Sequence, residues 1–360
     1  MKYSIDKKAE KFLFDYLNNA SPTGFEAEGQ KLWLSYVKPY IDEYHVDNYG
    51  TVYGVINPEA EFKVVIEAHA DEISWFVSYI GDDGLLNVIR NGGSDHMIAP
   101  SKRVNIHTKK GIVKGIFGWP AIHLRDLSKD TAPTIKNITI DVGAKDKKEV
   151  EAMGIHVGSV VTYEDELMIL NKKFYTGRAL DNRVGGFMIA EVARLVHESK
   201  TKLPFGLYIC NSVQEEVGLR GAEMIVNKIK PNIAIITDVC HDTTTPMIDK
   251  KANGDFKCGS GPVITYAPAV HNVVRELILD TAEKEKIKFQ RDAASRVTGT
   301  DTDAFAYTGG GVPSALISLP LKYMHTTVET VAKSDVEDVI KLIFSTLKNI
   351  TPKIKLKYLS

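Results

Sequence analysis

The sequence predicts an α/β protein: a helix-covered mixed sheet interrupted by an inserted small all-β, barrel-like domain. Two observations predict it. Amphipathic helix-like segments alternate with apolar strand-like runs on both sides of a middle region, and such alternation implies a sheet with helices on both faces. Residues 74–164 have a different texture, with short β-prone pieces separated by Gly, Asp and Lys clusters, as a small barrel or sandwich would have. The implied organisation is a first α/β segment over 1–73, an inserted β-rich domain over 74–164 and a second α/β segment over 165–360 that completes the first.

Taken in order, residues 5–19 and 26–44 place Phe12, Leu13, Tyr16 and Leu17, then Leu32, Leu34, Val37 and Ile41, at helical spacing. Ser21-Pro22-Thr23-Gly24 between them reads as a turn. The run from Phe62 to Ala68 reads as apolar on both faces after its single lysine, which suits a strand inside a covered sheet. ISWFVSYI, RVNIHT, GIVKGIFG, NITIDVG and GSVVTYE supply the strands of the insertion, with one helix near KKEVEAMG. Beyond it, DNRVGGFMIAEVARLVHES, GAEMIVNKI and HNVVRELILDTAEKEK predict helices, while LPFGLYICNSV, NIAIITDV and VPSALISLP predict strands. A final helix is expected to begin at Ser334 as its N-cap.

Composition narrows the function. Lys plus Arg total 45 and Asp plus Glu 46, a formal net charge of -1, so no basic excess is available for a phosphate backbone and nucleic acid is not an expected partner. No stretch approaches the roughly 18 uncharged apolar residues of a membrane span. Three cysteines (Cys210, Cys240, Cys258) cannot build a disulfide framework in so long a chain, and with no secretory signal in the first residues a cytoplasmic setting is expected.

Five segments carry acidic or imidazole side chains where strands should end, the edge at which open α/β sheets bind ligands. They hold His69 and Asp71 (EAHADE), Asp181 (GRALDNR), Glu215 and Glu216 (VQEEVGLRG), Asp238 (ITDVCHD) and His325 (YMHTTVE). Each admits a plainer role: His69 as a buried core histidine, Asp181 as a helix cap, Glu215-Glu216 as a solvated loop pair, Asp238 as a backbone-bonded carboxylate, His325 as a loop histidine. Together they form the mixed imidazole and carboxylate set that a carboxylate-bridged pair of divalent ions requires. His241 and Asp242 are set aside as surplus loop polarity. The glycines of NGGSD and TGGGVP lack the setting of a phosphate-cradling loop.

In order, GRALDNRVGG, QEEVGLRGA, ITDV, GTDTDAF, GGGVPSALISLP and YMHTTVE resemble the glutamyl/leucyl aminopeptidase family of dinuclear zinc or cobalt peptidases, which includes the tetrahedral aminopeptidases. The resemblance implies that His69, Asp181 and Asp238 hold one metal ion and Asp181, Glu216 and His325 a second, with Asp181 bridging. It also implies that Glu215 is the general base, and that Asp71, counted with it among the catalytic residues, orients His69. Two divalent ions per subunit, zinc or cobalt, would activate water to release N-terminal residues from peptides with free N-termini. The insertion would mediate dimerisation within a homo-oligomer that can reach a dodecamer. The chain departs from the family pattern at Ala68, Ala70 and Ser74, and most of all in GWPAIHLRDLSKDTAP. Two other readings stay open: a carboxylate-dependent glycoside hydrolase, since proteins of this appearance have been labelled endoglucanases, and a non-catalytic assembly protein.

Overall fold

A computed structural model describes residues 3–126 and 131–359. Four strands at the centre of its large mixed sheet, Gly206–Ser212, Lys63–His69, Ile233–His241 and Ser314–Lys322, lie side by side and parallel. Antiparallel strands extend the sheet on either side, Val52–Ile56 and Glu43–Val46 beyond one edge, Glu329–Ala332, Phe174–Gly177 and Met168–Leu170 beyond the other. The parallel strands are buried along nearly their whole length because helices cover them. Leu180–Glu198 packs on the Lys63–His69 strand, with helices Lys7–Asn18, Ala27–Val37 and Lys333–Asn349 against it. No helix among the described residues is long and apolar enough to cross a membrane.

The insertion is a closed antiparallel barrel of Ser74–Ile80, Leu86–Asn91, Ile140–Asp141, Gly111–Phe117, Arg103–Thr108 and Val160–Tyr163, in that order around the ring. Trp75, Val88, Ile106, Phe117 and Val161 fill it as an apolar cluster separate from that of the main sheet. Its first and last strands pair, Trp75 opposite Val161, so the chain leaves and rejoins the sheet domain at one place. Within GWPAIHLRDLSKDTAP, residues 127–130 lie outside the described residues.

Several expectations are corrected. The helix expected over 26–44 stops at Val37, where Lys38–Tyr40 forms a 3-10 turn and Glu43–Val46 a strand. Pro39 has no N–H to continue the helical ladder. The last helix starts at Lys333 with Ala332 in the cap position, and the Ser334 hydroxyl turns to Asp335. That carboxylate accepts the Gly259 and Gly261 N–H groups at 2.6 and 3.0 Å, fixing a loop from afar. The Phe62–Ala68 run is not wholly apolar, because Glu67 lies within it, fully buried.

Candidate metal centre

The carboxyl ends of the parallel strands deliver the side chains. His69 closes its strand, Asp238 lies in the next, and Glu215, Glu216 and His325 follow the ends of two others. Asp181 comes from the start of the Leu180–Glu198 helix, at a kink where its backbone (φ -77°, ψ 114°) is non-helical; Ala179 holds the cap position, and no side-chain cap bond forms there. Non-glycine residues in the left-handed region stand at three of these bends: Ala179 (φ 59°), Gln214 (φ 59°) and His325 itself (φ 60°). Such conformations persist where surrounding packing fixes them, and they turn the chain abruptly enough to aim neighbouring side chains into one point.

Asp181 occupies the middle of the cluster. One carboxylate oxygen is 3.2 Å from His69 Nε2 and the other 3.3 Å from His325 Nε2. Asp238 Oδ1 and Glu215 Oε2 stand 3.9 and 3.8 Å from His69 Nε2, and Glu216 Oε2 is 3.6 Å from His325 Nε2. Glu215 thus pairs with His69 and Glu216 with His325, while donor atoms of His69, Glu215 and Glu216 also lie within 4.8 Å of one another. Donor atoms of His69, Asp181 and Asp238 lie within 4.8 Å of one another, as do those of Asp181, Glu216 and His325. Asp71 stands behind, its Oδ1 3.3 Å from His69 Nδ1. Its two oxygens also accept the N–H groups of Glu215 (3.1 Å) and Glu216 (3.2 Å), and the Thr23 hydroxyl donates to it at 2.9 Å. Asp71 thus holds the His69 ring and the backbone of both glutamates at once. Of the two residues set aside in the sequence, His241 lines the adjoining cavity, whereas Asp242 accepts the Cys258 N–H at 2.8 Å.

Three supports were not visible in the sequence. Glu329, the last residue of YMHTTVE, accepts the backbone N–H of His325 (2.8 Å) and of Asp181 (3.1 Å). Gly93, from the NGGSD loop of the barrel, bonds the His325 ring through its backbone, and a Cβ there would run into that ring. Behind His69, the Ser212 hydroxyl reaches both Glu67 and Asp301, two fully buried acids held above their ordinary pKa by burial and, for Glu67, by the charge of Asp301. The recurrence of acids in EAHADE and GTDTDAF was the available signal for this pair.

Burial, reinforced by the neighbouring acids and opposed by His69, pushes the Glu215 carboxyl up to about 10 and Asp238 to about 8. Glu216 is raised for the same reasons, with Asp181 the strongest neighbour. Asp181 runs the other way: burial opposes its ionisation, but the two imidazoles outweigh it and hold it below the usual carboxylate range. Burial likewise opposes protonation of His69, and Glu215, Asp181 and Asp71 overcome it and raise its pKa. Among the described residues no Lys or Arg pairs with any of these four carboxylates. Buried acids without a cation are costly, and two imidazoles with four carboxylates, one offering its oxygens in opposite directions, are a fitting donor set for divalent ions.

A cavity of about 740 Å³ opens directly over the cluster. Fold and site together define a mixed α/β protein with an inserted barrel and a candidate metal centre at the carboxyl edge of its sheet. The chain belongs to the M42 glutamyl aminopeptidase family, whose model matches residues 50–342. It is 32% identical to the lysyl aminopeptidase of Pyrococcus furiosus, over 92% of this chain and 94% of that protein. Among solved structures it is similar to aminopeptidase APDkam598 from Desulfurococcus kamchatkensis (TM-score 0.88, 30% identity, 96% of each chain). It is also similar to the Pyrococcus horikoshii TET1 peptidase, described as assembling into a tetrahedron or a large octahedral shell (TM-score 0.83, 26% identity, 94% of this chain and 98% of that). The family and the fold expected from the sequence are both borne out.

Proposed function

We propose that this protein is a metal-dependent aminopeptidase in which His69, Asp181 and Asp238 hold one divalent ion and Asp181, Glu216 and His325 a second. The observation that carries this reading is Asp181, whose two oxygens face two imidazoles inside a set of buried acids that no Lys or Arg among the described residues neutralises. When bound, such ions polarise a carbonyl and make water acidic enough to attack at neutral pH. Glu215 is the general base: it takes the proton of the attacking water and returns it to the leaving amine. Its carboxyl faces the cavity, while its backbone is pinned by Asp71, which acts as a positioning residue for Glu215, Glu216 and His69. Zinc and cobalt both suit a mixed nitrogen and oxygen donor set.

Substrates in this reading are peptides with free N-termini. A glycoside hydrolase would leave His69 and His325 without a role, and a purely structural protein would not retain uncompensated acids beneath an open cavity. The unit over 74–164 serves dimerisation in a homo-oligomer. Its support is the barrel's separate core together with the apolar side chains Ile89, Ile112, Ile116 and Val157 left exposed on it, and the shells formed by the Pyrococcus horikoshii relative. Three free cysteines agree with a cytoplasmic setting.

The test is Glu215→Gln, assayed on aminoacyl p-nitroanilides after chelation and restoration with zinc, cobalt or manganese. The variant is expected to keep its metal content and lose about 10²- to 10⁴-fold in kcat. A variant of undiminished rate would remove Glu215 from this role.

A further inference from the structure

We infer that Asp292 sets the side-chain preference of this site, selecting substrates whose N-terminal residue is a lysine or arginine. The inference rests on the aminopeptidase reading above and names the substrate class that the cavity accepts.

Beyond the metal cluster the cavity wall is mixed: Leu219, Phe256, Val297 and Met324 give it apolar surface, His241 and Asn253 polar groups, and no Lys or Arg lines it among the described residues. Two acids outside the cluster face it, Asp292 and Asp303, and their situations differ. Asp303 is engaged: its carboxylate accepts the N–H groups of Thr298 and Gly299 at 2.9 and 3.0 Å. Asp292 accepts only the N–H of Ala293, at 2.7 Å, and has no cationic partner among the described residues. It lies on the edge strand Gln290–Ala293, where alternation leaves Gln290 and Asp292 half-buried and Arg291 exposed. The Arg291 guanidinium sits 4.7 Å over the Phe289 ring.

The arrangement matches a side chain with an apolar stem and a cationic tip. Methylene groups of lysine or arginine bury against the apolar walls, and the charged end pairs with the free carboxylate. A leucine would fill the walls but leave Asp292 desolvated and unpaired. A glutamate would bring a second carboxylate against Asp292, with no Lys or Arg on the cavity wall among the described residues to receive it.

Two measurements on the metal-loaded protein test the assignment. The first compares kcat/KM for lysyl, arginyl, leucyl and glutamyl p-nitroanilides; the second compares, by calorimetry and without turnover, the binding of free L-lysine and L-norleucine, which differ essentially in the terminal ammonium. Lysyl and arginyl substrates are expected to lead and glutamyl to trail, with lysine binding more tightly than norleucine. Asp292→Asn is expected to lower the lysyl-to-leucyl ratio about tenfold or more, the scale of a hydrogen bond to a charged group, and to erase the lysine-to-norleucine difference, whereas Asp292→Glu keeps both in the same direction. An Asp292→Asn protein that hydrolyses the panel with an unchanged ratio overturns the assignment while leaving the aminopeptidase reading standing. Failure to hydrolyse any member with any of the metals overturns that reading, and the assignment with it.

Discussion

The two halves of the candidate metal centre are built differently. The His69 half is anchored within the sheet: its imidazole ends a fully covered strand, is 2% exposed, and is flanked by Asp71 and Asp238 on neighbouring buried backbone. The His325 half is 34% exposed and lies on a loop in the left-handed region, held by Glu329 from its own domain and by Gly93 from the barrel. One half is preorganised by the fold of a single domain, and the other is assembled where two domains meet. On the proposed two-ion reading, the two positions would draw their support from different parts of the molecule, with Asp181 as their shared element.

The most disruptive way to test this contrast is at Asp181. Replacing it with Asn takes one anionic bridge from both halves, and the expected outcome is loss of both ions, read by metal analysis after gel filtration, with hydrolysis at background. Retention of a full complement would show that the halves do not depend on a common bridge. A more selective perturbation is Gly93→Ala, whose methyl would displace the His325 ring. Partners that orient a metal ligand typically affect affinity by about 10- to 100-fold, so this variant should hold the outer ion more weakly by that amount while retaining the inner one. Equal loss at both positions would erase the distinction.

The smallest effect is on stability against pH without metal. Glu215 is raised from 4.5 to about 10 and Asp238 from 3.8 to about 8, so their contribution to stability is complete below their unfolded values and is lost as pH rises through the raised ones. His69, raised above 6.5, acts in the same direction, whereas Asp181, lowered from 3.8, adds stability that is lost only on acidification. The Tm of metal-free protein is therefore expected to fall between about pH 5 and pH 9, with a shallower fall once zinc or cobalt is added. A metal-free Tm that rises over this window would show that these acids are not the groups that dominate.

Much of this was legible in the chain. Buried parallel strands announce themselves as apolar runs, and acids or histidines at their ends stand out because nothing in a strand's own chemistry calls for them there. The harder features depend on partners far away in sequence. Glu67 is concealed inside an apolar run because the groups that satisfy it are Ser212 and Asp301. Gly93 carries no local signature, since its need for a missing side chain is set by a ring 232 positions later (325 less 93). The strands Val263–Tyr266 and Gln290–Ala293 escaped notice because they are short, and the second is half exposed and charged. The overrun at Pro39 shows amphipathic spacing persisting past a residue that cannot donate to the helix.

The Gly93 contact also bears on how such a protein can change over time. A barrel with adjoining entry and exit strands and an interior of its own looks like a portable cassette, free to be swapped, trimmed or enlarged. The backbone of one of its loops nevertheless steadies an imidazole belonging to the host. Any replacement cassette would have to present an equivalent bare stretch of main chain at that spot, so the short rim that meets the cleft ties the insert to its host.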